Sequence, residues 1–424
     1  MSAPRPPADP PALRNDCFAL PPGVDWLAVD RALDLLRERC AVVTGAETVP
    51  LTQGAGRVLA APVAADRPNP PAANSAVDGY AFAHASLTGA DPERLRLAPG
   101  RAAAGAAFQG QAGPGEGVRI LTGAALPAGT DTVVLQEDIG LTGGELRLRP
   151  GLKRGANTRA GGEDFAAGAP LLPAGHVLRP QDLALLAAGG LDRVPVRRRL
   201  RVAVLSTGDE LADPPGPPEA TIDANRPMLL ALIRAWGFDP VDLGRARDDA
   251  GAVRAALDRG AEEADAILTS GGASAGDEDH VSATLRAAGA LTAWRIAVKP
   301  GRPLALAAWN GAAVFGLPGN PVAAFTCALI FARPALLALA GAGWRAPQGF
   351  DLPAGFAKTR KPGRREFLRA RISAEGRAEP FRSEGSGLIS GLAWSKGLID
   401  LPDPGPDVAE GDPVRFIPYA SFGL

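Results

Sequence analysis

The sequence contains few of the residues that build metal centres, disulfide frameworks or base-stacking surfaces. Its 424 residues include three histidines and three cysteines, Cys17, Cys40 and Cys327, all widely separated. Because no CxxC pair is present, a zinc site is not predicted, and so few cysteines are typical of a reducing compartment. Aromatic residues make up 5% of the chain, which disfavours base stacking. We therefore expect a cytoplasmic protein without a metal site built from cysteine or histidine.

Strong charge of one sign and long apolar segments are also lacking. The formal net charge is −1, so no bulk field favours nucleic acid or an anionic membrane. We find no 18-residue apolar stretch free of charges and breakers, so no membrane span is predicted. Residues 1–23 are proline-rich and lack the apolar core of a signal peptide, which indicates a disordered tail. Neither nucleic acid nor a membrane is expected as a partner.

The chain is long, and it is rich in glycine and proline. The chain is long enough for two to four domains, and its 52 glycines and 41 prolines predict many turns. Patterns of spacing divide it further. The predicted divisions are the tail (1–23), a helical domain (24–65 with 168–198), a β-rich domain (66–167), an α/β domain (199–348) and a small C-terminal β domain (349–424).

Strand, loop and helix patterns alternate from Arg201 onward. RVAVLSTGDEL and ADAILTSGG are apolar strands that end in polar loops, while RPMLLALIRAWG and AGAVRAALDRGAEEA have helical spacing. This order predicts a parallel sheet with helices on both faces. Ligands bind such sheets at the carboxyl ends of the strands. The segments STGDE and SGGAS are predicted to lie there.

The loop ILTSGGASAGDEDH (267–280) places glycines and hydroxyl groups beside acids. Its glycines allow backbone N–H groups to approach a phosphate or carboxylate, and Ser270 and Ser274 add hydroxyl donors. The pattern is neither GxxxxGK[ST] nor GxGxxG, so a standard nucleotide loop is not predicted. A plain strand-to-helix turn is the alternative interpretation. The glycines concerned are Gly271, Gly272 and Gly276.

Two further loops combine polar or charged residues with turn residues. STGDE (206–210) offers Thr207 and Gly208 to a ligand and Glu210 to a metal, or is simply a turn capped by Asp209. VKPGRP (298–303) places two cations beside rigid turn residues, where they can hold an oxyanion. A solvated hairpin is its alternative interpretation.

The remaining motifs have equally plain alternatives. In LPGNP (317–321), two prolines fix a loop that opens a helix, and a helix N-terminus is a natural anion site. NSAVDGYA (74–81) is compatible with a hairpin turn, and LTGA (121–124) is not specific by itself. LKRGANTRAGGEDF (152–165) is compatible with a charged, solvated loop.

Taken together and in order, these motifs are specific. Between Asn74 and Pro321 the chain resembles the MoeA family, the molybdopterin molybdenumtransferases that also form the E-domain of gephyrin. The resemblance extends over about residues 15–424. It implies a reaction in which molybdate enters adenylylated molybdopterin and AMP is released, with Mg²⁺ as the usual divalent cation.

The resemblance also implies an architecture. Family protomers are elongated, have four domains and form homodimers through a helical linking region. A MogA-like α/β domain of one subunit and the β domain of the other form a composite site. Because the substrate is adenylylated, the resemblance also implies a MogA-like adenylyltransferase as an expected partner, besides the small-molecule substrates.

Residue by residue, the resemblance transfers three sets of roles to this chain. The functional acids are Asp78, Asp164, Glu210, Asp248 and Asp279, of which the last three are the hypothesised Mg²⁺ ligands. The substrate-binding positions are Thr122, Ser206, Thr207, Gly208, Ser270, Gly271, Gly272, Gly276, Pro318, Gly319, Asn320 and Pro321. The molybdate-binding positions are Ser274, Lys299, Arg302, Pro303, Arg369 and Ser390, with Ser386 as the alternative serine.

Three positions depart from the family pattern. Arg302 replaces a usual lysine, but it keeps the charge and can bind oxygen atoms bidentately. His280 stands where the family often has tyrosine. Ala323 replaces a frequent serine after LPGNPV and removes a possible hydroxyl donor to molybdate.

A divalent cation reconciles the acids with an anion site. Carboxylates bind anions only at high cost, whereas Mg²⁺ can bridge a carboxylate and a phosphate oxygen. Lys299 and Arg302 can neutralise molybdate. Asp78 and Thr122 are expected to reach the site from the partner subunit.

Three rival functions follow from the same residues. A non-catalytic molybdopterin-binding scaffold is disfavoured because all five acids are retained. A MogA-like adenylyltransferase would lack the flanking β regions. A tungstate-inserting relative has the same motifs and differs only in the anion it prefers.

The acidic end of the loop 267–280 gives a first prediction. Asp279→Ala should retain ligand binding but lose AMP release, because Asp279 is the acid assigned to the metal. Asp277→Ala is the matched control and should keep normal turnover, since Asp277 and Glu278 are expected to be solvated neighbours. Single-turnover measurement of AMP tests both variants, and undiminished release by Asp279→Ala contradicts the assignment.

Overall fold

The computed structural model describes residues 26–271, 280–293, 295–301 and 304–424. They form two compact units. The larger unit contains the described residues up to Gly45 together with Arg198–Leu424, and the inserted unit is Ala46–Arg197. The boundaries of the four predicted domains remain predictions.

The inserted unit follows helix α1 (Val29–Arg39) of the larger unit and is built mainly from short strands. Its elements are β1 (Ala46–Pro50), β2 (Val63–Ala64), β3 (Asn74–Ser75), β4 (Gly79–Phe82), β5 (Glu93–Ala102), β6 (Glu116–Ile120), β7 (Thr132–Leu135), β8 (Ile139–Thr142), β9 (Glu145–Leu148), β10 (Thr158–Arg159), β11 (Pro170–Leu172), α2 (Pro180–Ala188) and β12 (Arg193–Arg197).

A six-stranded sheet in the order β7-β4-β6-β5-β9-β8 forms the main core of the inserted unit. Successive side chains of a strand point to opposite faces, and β4 is buried on both. Tyr80 and Phe82 pack in one apolar cluster, whereas Ala81 packs in another with Ile120 and Val133. The fully described stretch 66–167 contains strands and turns but no α-helix.

The segments flanking that sheet are less helical than the sequence analysis predicted. Helix α2 lies within the segment 168–198 that was predicted to be helical, and it ends at Gly189. However, β1 pairs with β12 and β2 with β11, so the regions 46–65 and 168–198 contain more strand than helix. The reason is visible in β12, where Val194 and Val196 are buried while Arg193 is exposed. That period of two favours a strand over a helix.

The larger unit contains the elements predicted for the α/β and C-terminal regions. They are β13 (Arg201–Thr207), β14 (Leu211–Ala212), β15 (Thr221–Ile222), α3 (Asn225–Ala235), β16 (Asp239–Ala246), α4 (Ala250–Glu263), β17 (Ala266–Ser270), α5 (His280–Ala287), β18 (Leu291–Ala293), β19 (Val298–Lys299), β20 (Ala305–Trp309), β21 (Ala312–Leu317), α6 (Pro321–Cys327), α7 (Arg333–Leu339), β22 (Phe350–Pro353), β23 (Arg365–Ile372), β24 (Ala378–Pro380), α8 (Ser390–Trp394), β25 (Gly397–Leu401) and β26 (Pro413–Pro418).

The α/β sheet has the strand order β16-β13-β17-β21-β20-β18. The first four strands are parallel. Strands β13, β17 and β21 are buried along nearly their whole length because helices cover both faces, whereas the edge strand β16 is only partly buried. Leu257 of α4 and Val281 of α5 pack with Leu205 and Ile267 of the sheet, while α3 and α6 contact each other and the strands β13 and β21. The predicted α/β class is confirmed.

The sheet is mixed rather than wholly parallel, which corrects the sequence prediction. Strand β20 runs antiparallel to both β21 and β18. The reason is the two-residue turn Asn310–Gly311, in which both residues have positive φ angles of 46° and 88°. An Asn-Gly pair with this geometry closes an antiparallel hairpin.

A single long helix runs through the core of the larger unit. Helix α6 continues through a π-helical turn, Ala328–Ala332, into α7. In the described part of the chain, Pro321–Leu339 is the one helix long and apolar enough, by length and composition, to cross a membrane, although it contains Arg333 and Pro334. Since 83% of its apolar window is buried inside the folded chain, it has the character of a core helix.

The C-terminal sheet has the order β19-β23-β25-β26-β22, with β24 paired to β23. Phe416, Ile399 and Leu368 lie in its apolar core. Strand β19 precedes this region in sequence, yet it pairs with β23 through Val298 and Arg365 and through Lys299 and Glu366. The first two residues of VKPGRP, Val298 and Lys299, therefore form a strand of the C-terminal sheet and are not part of a hairpin.

Asp265 anchors the start of the α/β sheet. Its carboxylate accepts two hydrogen bonds from the Arg198 guanidinium, at 2.6 and 2.7 Å, and one from the Arg201 N–H at 2.8 Å. Burial alone would raise the pKa of Asp265, but these donors hold it below its ordinary value of 3.8. The charged form is thus the one that stabilises the fold.

We predict that Asp265→Asn destabilises the larger unit by about 1.5–3 kcal/mol at pH 7, because a charged acceptor of three hydrogen bonds is lost. Since the folded-state pKa is lowered, this contribution is present above pH 3.8 and disappears as the pH falls through the folded-state pKa. Thermal unfolding from pH 7 downward measures it. Asp239→Asn, at an exposed carboxylate, is the control, and equal losses in both variants would contradict the assignment.

Candidate functional site

Three strand ends meet at the carboxyl edge of the α/β sheet. Ser206 of β13 is paired with Ser270 of β17, which is paired with Leu317 of β21. The loops STGDE, SGGAS and LPGNP therefore begin side by side, as predicted for a parallel sheet.

The backbone of Gly271 lies unusually close to the β13 loop. A Cβ atom at Gly271 would be 2.6 Å from the carbonyl oxygen of Thr207, and the φ angle of Gly271 is +89°. On the other side, a Cβ atom at Gly319 would be 3.6 Å from the Cα of Gly271, an ordinary contact. Only glycine fits at position 271, because it adopts this φ without strain and has no side chain.

Asn225 holds the second and third of these loops together. Its Nδ2 donates to Ser270 Oγ and to the carbonyl oxygen of Gly319, each at 2.6 Å. Asn225 is the first residue of α3 and is buried. The sequence pattern did not identify Asn225, because the helical spacing of RPMLLALIRAWG indicates only the apolar helix that begins beside it. The polar sequence Asp223-Ala-Asn225 at the start of a helix after a loop was the available signal.

Several buried polar atoms at this edge have no hydrogen-bond partner within the described residues. They are Ser206 Oγ, Thr207 Oγ1 and Asn225 Oδ1, in residues that are 0%, 4% and 5% exposed. A buried polar atom without a partner costs about 1–3 kcal/mol. Such a group of atoms indicates a place where a polar ligand or water completes the hydrogen bonding.

The acidic residues of the β13 and β16 loops tie these loops together. Asp209 N–H donates to Asp248 Oδ2 at 3.2 Å, and Asp248 N–H donates to Asp209 Oδ1 at 3.3 Å. Asp209 thus does not cap a helix, because β14 and β15 follow it and α3 begins only at Asn225. Glu210 is exposed next to this pair, and Gly208 is buried behind it.

The residues present at this edge suit a hard cation. No group of three or more metal-binding side chains occurs among the described residues, but the predicted third ligand, Asp279, is not one of them. Mg²⁺ typically takes one or two carboxylates together with substrate oxygens and water. Glu210 and Asp248 meet that requirement in chemistry and in placement on neighbouring loops.

The LPGNP loop opens the helix predicted from its two prolines. Asn320 is the N-cap of α6, and its side-chain oxygen accepts a hydrogen bond from Val322 N–H at 3.0 Å. Pro321 occupies the first helical position, where a missing N–H has no cost. Pro318 is buried and Gly319 is exposed, so the tip of the loop is accessible.

Two of the predicted molybdate-binding cations line one cleft in the larger unit. The cleft contains Lys299, Pro300, Arg369, Phe381 and Glu384 among its lining residues. Neither Ser386 nor Ser390 is among the described residues that line it, and Ser390 is exposed at the start of α8. The structure therefore brings Lys299 and Arg369 together but leaves the predicted serines outside.

Arg369 is buried and committed to the loop that follows β24. Its guanidinium donates to the carbonyl oxygens of Ser383, Gly385 and Leu388, at 2.6–3.0 Å. It also lies over the Phe381 ring, 5.0 Å from the centroid. Burial lowers its pKa. In this arrangement Arg369 shapes the cleft and adds positive charge to it.

A separate arrangement occurs in the inserted unit, where NSAVDGYA meets LTGA. Asp78 Oδ1 accepts hydrogen bonds from both the N–H and the hydroxyl of Thr122, each at 2.7 Å. The Thr122 N–H and then its hydroxyl hold the pKa of Asp78 below its ordinary value. Asp78 therefore fixes a second loop and does not form a simple hairpin turn.

Asp164 lies in a different contact of the inserted unit. It accepts a hydrogen bond from Asn69 Nδ2 at 3.1 Å, and its own N–H donates to the Asn69 carbonyl. No hydrogen bond in this fully described unit joins Asp164 to Asp78. Six other predicted positions, Gly272, Ser274, Gly276, Asp279, Arg302 and Pro303, lie outside the described residues.

Comparisons with known proteins cover almost the whole chain. Three sequence-family models match it: the MoeA N-terminal region (domain I and II) over residues 27–190, a probable molybdopterin binding domain over 203–338, and the MoeA C-terminal region (domain IV) over 351–419. A Haemophilus influenzae protein named molybdopterin molybdenumtransferase is 33% identical over 402 residues, covering 93% of this chain and 98% of that protein. The chain belongs to the MoeA family.

Other members of the MoeA family agree in extent and fold. Molybdopterin molybdenumtransferase 2 of Mycobacterium tuberculosis is 35% identical and covers 87% of this chain and 94% of that protein. A molybdopterin biosynthesis MoeA protein from Pyrococcus horikoshii OT3 has a crystal structure that superposes with a TM-score of 0.81 at 27% identity. It covers 93% of this chain and 100% of that one.

Gly271 gives a prediction for the strand-end loops. Gly271→Ala should destabilise the larger unit by about 1–3 kcal/mol, because alanine is strained at this φ and its Cβ would overlap the Thr207 carbonyl. Thermal unfolding measures the loss. Gly319→Ala is the matched control, since the added methyl makes only an ordinary contact, and an equally stable Gly271→Ala protein would refute the close approach.

Proposed function

We propose that this chain is a molybdopterin molybdenumtransferase, which inserts molybdate into adenylylated molybdopterin and releases AMP. The observation that carries the proposal is the meeting of three loops at the sheet edge, where Ser206, Thr207 and Asn225 have buried oxygens without a partner in the described part of the chain. The names of the MoeA relatives support the same activity. A reaction at this edge needs a polar ligand, a divalent cation and an oxyanion, and each has candidate residues.

The ligand would occupy the strand-end loops. Ser206 and Thr207 supply hydroxyl groups, and the Gly271 backbone can approach a phosphate because no side chain stands in the way. Asn225 holds the loops of Ser270 and Gly319 in place. Its side-chain oxygen, for which no described residue is a partner, can accept a hydrogen bond from a ligand N–H. We propose that this surface binds the adenylylated molybdopterin.

Mg²⁺ would be held by Glu210 and Asp248, with Asp279 as the third proposed ligand. When bound, it stabilises negative charge on the phosphate oxygens at the cleaved anhydride. The chain's own contribution is to fix the two acidic loops, since the backbone N–H of Asp209 and that of Asp248 each donate to the carboxylate of the other residue.

Molybdate would bind at the cleft that contains Lys299 and Arg369, with Arg302, Ser274 and Pro303 as further proposed contacts. Two cations in a partly closed cleft favour a dianion, because charge-assisted hydrogen bonds are stronger than neutral ones. The Arg369 hydrogen bonds to three carbonyl oxygens fix its position before an anion arrives.

Asp78 and Thr122 would complete the site from the second subunit of a homodimer. Their two mutual hydrogen bonds hold the carboxylate in one orientation and keep it ionised. We propose that this fixed carboxylate contacts the substrate from the partner subunit. Adenylylated molybdopterin would be supplied by a MogA-like adenylyltransferase.

The decisive experiment is AMP release from adenylylated molybdopterin. We expect AMP only when Mg²⁺ and an oxyanion are both present, and comparison of molybdate with tungstate identifies the preferred anion. Lys299→Gln should raise the molybdate concentration needed for half-maximal release about tenfold or more, as removal of one charge-assisted contact predicts. Lys396→Gln, at an exposed lysine of the same C-terminal region, is the matched control.

Two outcomes would contradict the proposal. AMP release that is independent of any oxyanion would indicate a hydrolase. Tight binding of adenylylated molybdopterin without any release would indicate a non-catalytic binding protein.

A further inference from the structure

Lys299 belongs to a compact group of four charged side chains. Its Nζ lies 3.2 Å from Glu366 Oε2 and 2.5 Å from Glu384 Oε2. A second lysine, Lys358, contacts the same two carboxylates, lying 3.3 Å from Glu366 Oε2 and also pairing with Glu384 Oε1. Each carboxylate thus bridges two lysines, and the sequence analysis had singled out only one of these four residues.

The two carboxylates differ in how firmly they are held. Glu366 lies in β23 and its side chain is 5% exposed, whereas the Glu384 side chain is 39% exposed. Glu384 lies in the connection between β24 and α8, outside any strand or helix. Glu366 is therefore a fixed counter-ion, and Glu384 is the one that can leave.

The geometry of Glu384 is that of a bound anion. One carboxylate oxygen meets Lys299 and the other meets Lys358, and the carboxylate lies in the same cleft as Arg369. Burial alone would raise the pKa of Glu384, but the two lysines hold it below its ordinary value, so it stays ionised at neutral pH.

The charge balance of the four paired side chains together with Arg369 changes when Glu384 leaves. Lys299, Lys358 and Arg369 carry three positive charges, which Glu366 and Glu384 reduce to one. With Glu384 displaced, the remaining four side chains carry two positive charges. A tetrahedral dianion neutralises that charge, whereas a monoanion leaves one charge in a cleft where unpaired charge is costly.

We propose that Glu384 occupies the oxyanion position of the cleft and that a molybdate-class dianion binds by displacing its carboxylate, taking Lys358 as a further ligand beside Lys299. This inference rests on the proposed function, because it takes the Lys299 cleft as the oxyanion site. Glu384 is then a specificity-determining residue, since an anion must compete with an internal carboxylate that is always present.

The consequence is measurable as an affinity. When an internal group competes for the site, the apparent Kd equals the intrinsic Kd divided by the fraction of molecules in which the site is open. If Glu384 fills the position in most molecules, Glu384→Gln should tighten the molybdate Kd about tenfold or more. Lys358→Gln should weaken it, because one of the proposed ligands is lost.

Isothermal titration of the full chain with sodium molybdate tests both effects. Glu379→Gln is the matched control, since Glu379 is equally exposed, at 39%, and is paired with Arg371 in the same sheet. It removes the same charge without touching Lys299 or Lys358, so its Kd should equal that of the unaltered chain. Thermal unfolding of each variant without molybdate checks that it is folded.

The outcomes separate this inference from the proposed function. If molybdate binds the unaltered chain and Lys299→Gln weakens binding, the cleft is the oxyanion site. In that case, the displacement of Glu384 is overturned if Glu384→Gln leaves the molybdate Kd unchanged or changes it no more than Glu379→Gln does. The assignment of the cleft as the oxyanion site would then still stand. If Lys299→Gln has no effect on molybdate binding, the placement of the oxyanion itself fails, and the displacement fails with it.

Discussion

The close approach of Gly271 to Thr207 is the constraint on which the candidate site depends. Because no side chain separates the two backbones, the loops after β13 and β17 can share one ligand surface. Asn225 extends that surface to the third loop through Ser270 and Gly319. Among the described residues, buried oxygens of Ser206, Thr207 and Asn225 at this edge have no hydrogen-bond partner. Buried polar atoms are usually paired, so these atoms are candidates for contact with a polar ligand or water.

Much of this arrangement was predictable from sequence because it depends on local patterns. Apolar strands such as 201–207 and 266–270, each followed by helical spacing, are enough to predict a largely parallel sheet with its loops at one edge. The antiparallel strand β20 was missed although Asn310–Gly311 is a strong local turn signal. The alternating valines of β12 also indicated a strand, but the segment 168–198 was predicted to be helical because of the helix α2 beside it.

Side-chain partners between distant segments were not predictable, since no spacing rule joins them. The motifs gave Asp78 and Thr122 as separate candidates, but only the fold makes one hold the other. The pairing of Lys299 with Glu384 and the role of Asn225 depend on residues far apart in the chain. The sequence shows that Lys299 is positively charged, but it does not show that Glu384 lies beside it.

Strand β19 belongs to the α/β segment in sequence but pairs with the C-terminal sheet, and it therefore places Lys299 in that sheet. Lys299 lies opposite Glu366 on β23, whose core residues pack with β25 and β26. Lys299 is therefore positioned by the C-terminal sheet, whereas the strand-end loops are positioned by the α/β sheet. If the two proposed reactant sites are these, they lie on separate sheets of the larger unit, and substitutions in the C-terminal core that touch neither reactant would alter the spacing between them.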